Sequence, residues 1–314
     1  MRYFLLFILT TLLLWGGATR IDMAPYGIDT NQYMKIRILD QLSLSYPNIN
    51  DHHFFGLSDL AYDQKKERLY LVGDQEGKLF VFNAQFGEKV ENFKPLYAVE
   101  LTGKNGKEFR RWRRDSEGMT LDRNGKLLIS FEGRAKIGRF DTRGRMQKEY
   151  RLPAKLLNVK NYRSKNKSLE AVALHPKYGI LTATEYPLKR YPKKSQTIYS
   201  LSGREWHFKA EEATNSAVVG LEVMDDGNLL VLERAFSGLM NPLVITIKKV
   251  WLKGCKKKKK CKTEILARFR NTDGWGIDNF EGLARVGKNR YVIVSDDNDK
   301  FFQRTLLVYF EVIE

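Results

Sequence analysis

One figure recurs along the chain and leaves few folds open to it. An acid opens a short apolar run, a turn follows, a second apolar run climbs back, and a second acid closes it. The stretch from Ile277 to Val312, IDNFEGLARVGKNRYVIVSDDNDKFFQRTLLVYFEV, holds Glu281 and Asp296 fifteen residues apart. The same interval separates Asp59 from Asp74 in SDLAYDQKKERLYLVGD, Glu117 from Glu132 in SEGMTLDRNGKLLISFE, and Glu170 from Glu185 in LEAVALHPKYGILTATE. A further copy, VVGLEVMDDGNLLVLE, keeps the closing acid Glu233 and has Val219 where the opening acid would fall. Copies begin 49 to 62 residues apart, the period of propeller blades.

The fold expected is all-β, a single β-propeller of five four-stranded blades, or six if the N-terminal region hides another. Asp, Asn and Gly mark the hairpin turns in DRNGK, DTRGR, DDGN and VGKN. The last copy lacks an outer strand before the chain stops, while Met34 to Ser45 alternates apolar residues with no hairpin partner beside it. Pairing the two ends in one blade would close the ring and leave no exposed edge.

Residues 1–18, MRYFLLFILTTLLLWGGA, have Arg2, an apolar run from Tyr3 to Trp15, and the small residues Gly16 and Ala18 before a cut. This reads as a secretory signal peptide, too short in its apolar run to span a bilayer. The propeller domain then occupies 19–314, begins near Thr19 and works as a monomer in the periplasm or outside the cell, where intracellular nucleic acid is no partner. A formal charge of +17 favours an anionic small molecule or a membrane surface. Cys255 and Cys261 flank five lysines, and in an oxidising compartment they should form a disulfide closing a short loop. The loop from Lys256 to Lys260 could touch anionic lipid at the periphery.

If each hairpin is the innermost of its blade, Asp59, Asp74, Glu117, Glu132, Glu170, Glu185, Glu233, Glu281, Asp296 and Asp297 converge on one mouth of the central channel. Crowded carboxylates must be protonated, paired or bound to a cation, and oxygen ligands with few histidines point to calcium. Basic residues emerge beside them: Arg110, Arg111, Arg113 and Arg114 before Asp115, then Arg134, Arg190, Arg234, Lys300 and Arg304. His52 and His53 lie in the loop entering the first blade, and Trp112 and Trp275 flank the entries to blades two and five. No nucleophile elbow or HExxH spacing occurs.

RRDSEGMTLDRNGKLLISFEGRAKIGRFD, LEAVALHP and NFEGLARVGKNRYVIVSDDNDKFFQRTLLVYF resemble the phytase-like domain family, also called the esterase-like activity of phytase family. The resemblance runs from about Phe55 to Val312. It implies a secreted or periplasmic propeller with phosphoesterase activity, and it carries over to Asp115, Glu117, Glu132, Glu170, Glu281, Asp296, Asp297 and Asn298. The expected function is therefore a calcium-dependent hydrolase of phosphate esters. Glu117, Glu132, Glu281 and Asp296 would be catalytic, and Arg113, Arg114, Arg134, Arg234 and Arg304 would clamp the phosphate. The metal ligands expected are Asp59, Asp74, Glu117, Glu170, Glu185, Glu233, Glu281, Asp296 and Asp297. The competing reading is a non-catalytic propeller that binds an anionic ligand or an envelope partner.

Overall fold

The computed structural model describes residues 16–110, 113–164, 167–236, 238, 241–255 and 260–313. The leader expected over 1–18 therefore falls almost wholly outside the described residues, as do Arg111, Trp112 and Lys256 to Lys259.

Five antiparallel sheets form five blades. Blade 1 comprises Leu57–Asp63, Arg68–Gly73, Lys78–Phe86 and Val90–Glu100, and blade 2 comprises Ser116–Leu121, Leu127–Phe131, Lys136–Phe140 and Met146–Tyr150. Blade 3 is Leu169–His175, Gly179–Thr184, Ser195–Ser200 and Glu205–Lys209, and blade 4 is Ser216–Val223, Leu229–Ala235, Val244–Val250 and Thr263–Arg270. Blade 5 joins Asn279–Gly287, Arg290–Asp296 and Thr305–Val312 to the N-terminal strand Ile36–Ser45, with Leu42 opposite Leu307. A fifth strand, Gly17–Arg20, pairs on its outer edge, which the four-strand expectation did not include.

The five innermost strands touch in a closed ring, 57–63 against 116–121, then 169–175, 216–223, 279–287 and back. Both faces of the middle strands are covered by neighbouring blades, so Leu69–Val72 read as an unbroken apolar run and are all buried. The core is accordingly divided into layers between blades: Leu79, Met119, Ile129 and Phe140 fill one, Trp206, Val218 and Val231 another. Asp122, Asp141 and Asp226 hold the hairpin turns by accepting the N–H two residues on.

In each blade the first strand leaves the mouth and the second returns to it. The closing acids and the links between blades consequently share one end of the ring. Cys255 and Cys261 are disulfide-bonded in the turn between the third and fourth strands of blade 4, at the other end. Among the described residues no helix is long and apolar enough to cross a membrane.

Candidate metal centre

Every innermost hairpin carries a β-bulge near the mouth, and the bulge decides which side chains face the axis. Register slips between Ser116 and Met119, Leu169 and Ala171, and Phe280 and Gly282, leaving Glu117, Glu170 and Glu281 as unpaired extra residues. In these blades the closing acid consequently lies opposite the residue two before the opening acid. Asp296 pairs with Asn279, and the Glu132 N–H donates to the Asp115 carbonyl.

The same register places two acids elsewhere. In blade 1 the extra residue is Ser58, so Asp59 is turned one position away. Its carboxylate accepts N–H groups from Leu60, from Met119 of blade 2 and from Leu283 of blade 5, strapping three innermost strands together. In blade 4 Val219 is the extra residue and Glu233 pairs with Val218, which shifts Glu233 to the opposite side of its strand. There Glu233 meets Lys248 in a buried ion pair and accepts the Glu211 N–H. Arg234, opposite Ala217, takes the place that the closing acids hold in the other blades.

Asp74, Asp115, Glu117, Glu132, Glu170, Glu185, Glu281 and Asp296 therefore come together. Arg234 and Lys167 bring cations to these carboxyl groups. Arg234 bonds Glu281 and Asn279 and lies 3.7 Å from Glu185, whose oxygens also accept from Lys167 Nζ at 2.7 and 2.6 Å. Burial, then the like charges of Glu170, Glu132, Asp115 and Glu281, hold Glu117 well above the usual carboxylate range. Glu170 is raised well above it too, by burial and then by Glu185, Glu132 and Glu281. Burial and Glu281 push Asp74 to about 7, burial and Glu185 push Glu132 to about 8, and burial and Glu281 push Asp296 to about 8.

Two groups are tight enough to share a cation: Asp115, Glu117 and Glu132, and Glu132, Glu170 and Glu185, with ligand oxygens within 4.8 Å of one another. The donors are all hard oxygens, which suits calcium. Glu170 is only 7% exposed, yet no hydrogen-bond donor meets its carboxylate among the described residues. Ser58 Oγ, at the bulge of blade 1, is likewise buried without a partner.

Asp297 braces the mouth rather than joining the cluster, accepting from the Gly56 N–H at 3.1 Å and Thr305 Oγ1 at 2.8 Å. Of the expected clamps, Arg234 is bonded into the cluster. Arg134 lies 3.9 Å from Glu149 on the outermost strand, Arg304 donates to the Gly276 carbonyl, and Arg190 lies over the Tyr191 ring. Arg113 and Arg114 sit half-buried in the link between blades 1 and 2, where the Arg113 carbonyl accepts Lys136 Nζ at 2.7 Å. His52 and His53 pair with Asn48 and Ile49, and Trp275 packs on Tyr33 and Phe269 in the core.

Lys167 and Asn279 carry no repeat signal and were missed. Asn279 stands two residues before its bulged acid, as Asp115 does, and that offset is the clue. Beside the cluster a cleft of about 580 Å³ opens between blades 3 and 4, lined by Arg163, Lys167, Tyr186, Lys193 and Lys194 among others.

No curated protein matches the chain. Among solved structures, virginiamycin B lyase from Staphylococcus aureus is 11% identical, with 95% of this chain and 100% of that one covered and a TM-score of 0.41. A luciferin-regenerating enzyme is 11% identical over 82% of this chain and 92% of that one, at a TM-score of 0.42. A protein of unknown function from Bacteroides thetaiotaomicron VPI-5482 is 13% identical over 87% of this chain and 65% of that one, at 0.47. A match to the family described as Phytase-like, esterase-like activity of phytase, spans residues 52–299. With the bulged acids and their closing partners all inside that span, the chain belongs to the phytase-like family.

Proposed function

We propose that this chain is an exported hydrolase of phosphate esters that works with a divalent cation, calcium, held by the carboxylates at the channel mouth. One observation carries the reading: eight carboxyl groups come together at the mouth, and among the described residues no hydrogen-bond donor meets Glu170. Such a cluster is relieved by protons or by a metal. Glu117, Glu132, Glu170, Glu185 and Asp115 would hold calcium, which when bound supplies Lewis acidity toward a phosphoryl oxygen.

Arg163, Lys167, Lys193 and Lys194 line the adjoining cleft with Tyr186, and their charge suits a phosphate of an anionic small molecule. Asp74 and Asp296 stand outside the two tight groups, at about 7 and about 8. A carboxyl in that range can take the proton of an attacking water as oxygen bonds to phosphorus, and return a proton to the departing alkoxide as the ester bond breaks. Arg234 orients Glu281 and Glu185 beside them.

The test is metal analysis of purified protein together with hydrolysis of p-nitrophenyl phosphate and its bis ester, with and without a calcium chelator. Bound calcium, activity lost to chelator and restored by calcium, and a loss of about 100-fold or more in Glu170→Gln are expected. Turnover indifferent to both would sink the reading. Phosphate binding without any turnover would favour the non-catalytic anion-binding propeller instead.

A further inference from the structure

The loop 297–304 joins the second and third strands of blade 5 at the mouth. It does the opposite of what a folded chain does with phenylalanine: Phe301 is 100% exposed and Phe302 67%. The two rings meet edge to face with centroids 5.4 Å apart. A contiguous apolar tip of this kind is the informative exception on a soluble surface.

The presentation is built in. Asn298 and Asp299 are consecutive non-glycine residues in the left-handed region, at φ 51° and 54°, a conformation that persists only where surrounding bonds enforce it. Those bonds are present. The Asp297 carboxylate accepts from the Asp299 and Gly56 N–H groups and from Thr305 Oγ1. Asp278 accepts from the Arg304 N–H and from Gln303 Nε2, and Ser295 Oγ donates to the Arg304 carbonyl at 2.6 Å. The loop is clamped at both ends with its rings held outward. Phe236, 51% exposed, occupies the corresponding loop of blade 4.

Lys300 flanks this tip, and further cations share its end of the ring. Lys300 Nζ lies 5.8 Å above the Phe302 ring, and Lys300, Arg304, Arg110, Lys193 and Lys194 are exposed in loops at the same end of the ring. Aromatic tips flanked by positive charge match a surface that is anionic, extended and soft beneath. We propose that Phe301 and Phe302 insert into the interface of an anionic lipid bilayer, so that the mouth of the propeller faces lipid headgroups. One apolar anchor plus a basic rim is the two-signal arrangement that reversible membrane attachment requires. This face lies opposite the disulfide turn, and the inference needs no metal in the carboxylate cluster.

The test is co-sedimentation with phosphatidylcholine vesicles, with and without phosphatidylglycerol, in the presence of a calcium chelator so that no cation bridges protein to lipid. The wild type should pellet with the anionic vesicles only, less as salt rises. The double variant Phe301→Ser, Phe302→Ser should melt at the wild-type temperature, since both side chains are exposed, and lose about tenfold or more in partitioning. A Phe302→Trp reporter should shift its emission to the blue on those vesicles. The proposal is overturned if the wild type stays in the supernatant or if the double variant pellets equally well. It is also overturned if the wild type sediments as a dimer that this double variant converts to monomer, since a second copy would then be the occupant.

Discussion

At the scale of single residues, the carboxylates divide by what meets them. Asp59 is fully buried and satisfied by three backbone N–H groups from three blades, so its work is to hold innermost strands together. Glu233 and Lys248 are both buried and answer each other. Glu233→Gln leaves Lys248 charged with no acid, a loss of about 3–5 kcal/mol. Glu170→Gln should act in the reverse direction on metal-free protein, raising its melting temperature by removing a carboxyl that folding forces to hold its proton beside like groups. Calorimetry of the two variants in chelator separates these roles, and equal destabilisation would show Glu170 to be structural as well.

At the scale of elements, the bulge is what turns a plain hairpin into half of a site. A glycine follows the extra residue in blades 2, 4 and 5, and the reason is proximity: a Cβ on Gly118 would stand 2.6 Å from the Ala171 Cα and 2.7 Å from the Glu170 carbonyl oxygen of the next blade. Gly118→Ala must push innermost strands apart, costing about 1–3 kcal/mol or more and displacing Glu170 along with them. Gly87→Ala, with only the Lys89 carbonyl oxygen within 4 Å, at 3.9 Å, and an ordinary φ, is the control and should melt as wild type. The hairpins themselves were legible from the fifteen-residue interval because strands and turns impose it. Which side an acid faces was not, since one extra residue reverses the alternation without altering the look of the sequence. Asp59 and Asp74 keep the interval while Asp59 faces away from the mouth cluster, and Arg234 lines up with the closing acids only after the bulge at Val219 is counted. Lys167 was invisible for a different reason, coming from a link between blades that the repeat does not cover.

At the scale of the whole molecule, the mouth ties stability to pH and to cations. Asp74, Glu132 and Asp296 titrate at about 7, about 8 and about 8 in the folded chain, above the roughly 4 expected unfolded. The folded state thus binds more protons across that window, and stability falls as pH rises from about 4 to about 8. Lys136, pushed down to about 7 by burial between the Phe109 and Phe131 rings, acts with the other sign, its cost fading as pH climbs above 7. Metal-free protein should therefore melt at decreasing temperature between pH 5 and 8. Calcium should stabilise it increasingly over the same window, releasing protons as it binds. A melting temperature flat in pH, or a calcium shift that shrinks as pH rises, would contradict the picture. Blade 5 adds a matter of timing. Ile36–Ser45 is made early, well before its neighbour Thr305–Val312. Until that strand follows, Ile36–Ser45 has no companion and the circle stays unlatched, so closure comes late and slowly, as its long-range pairing demands.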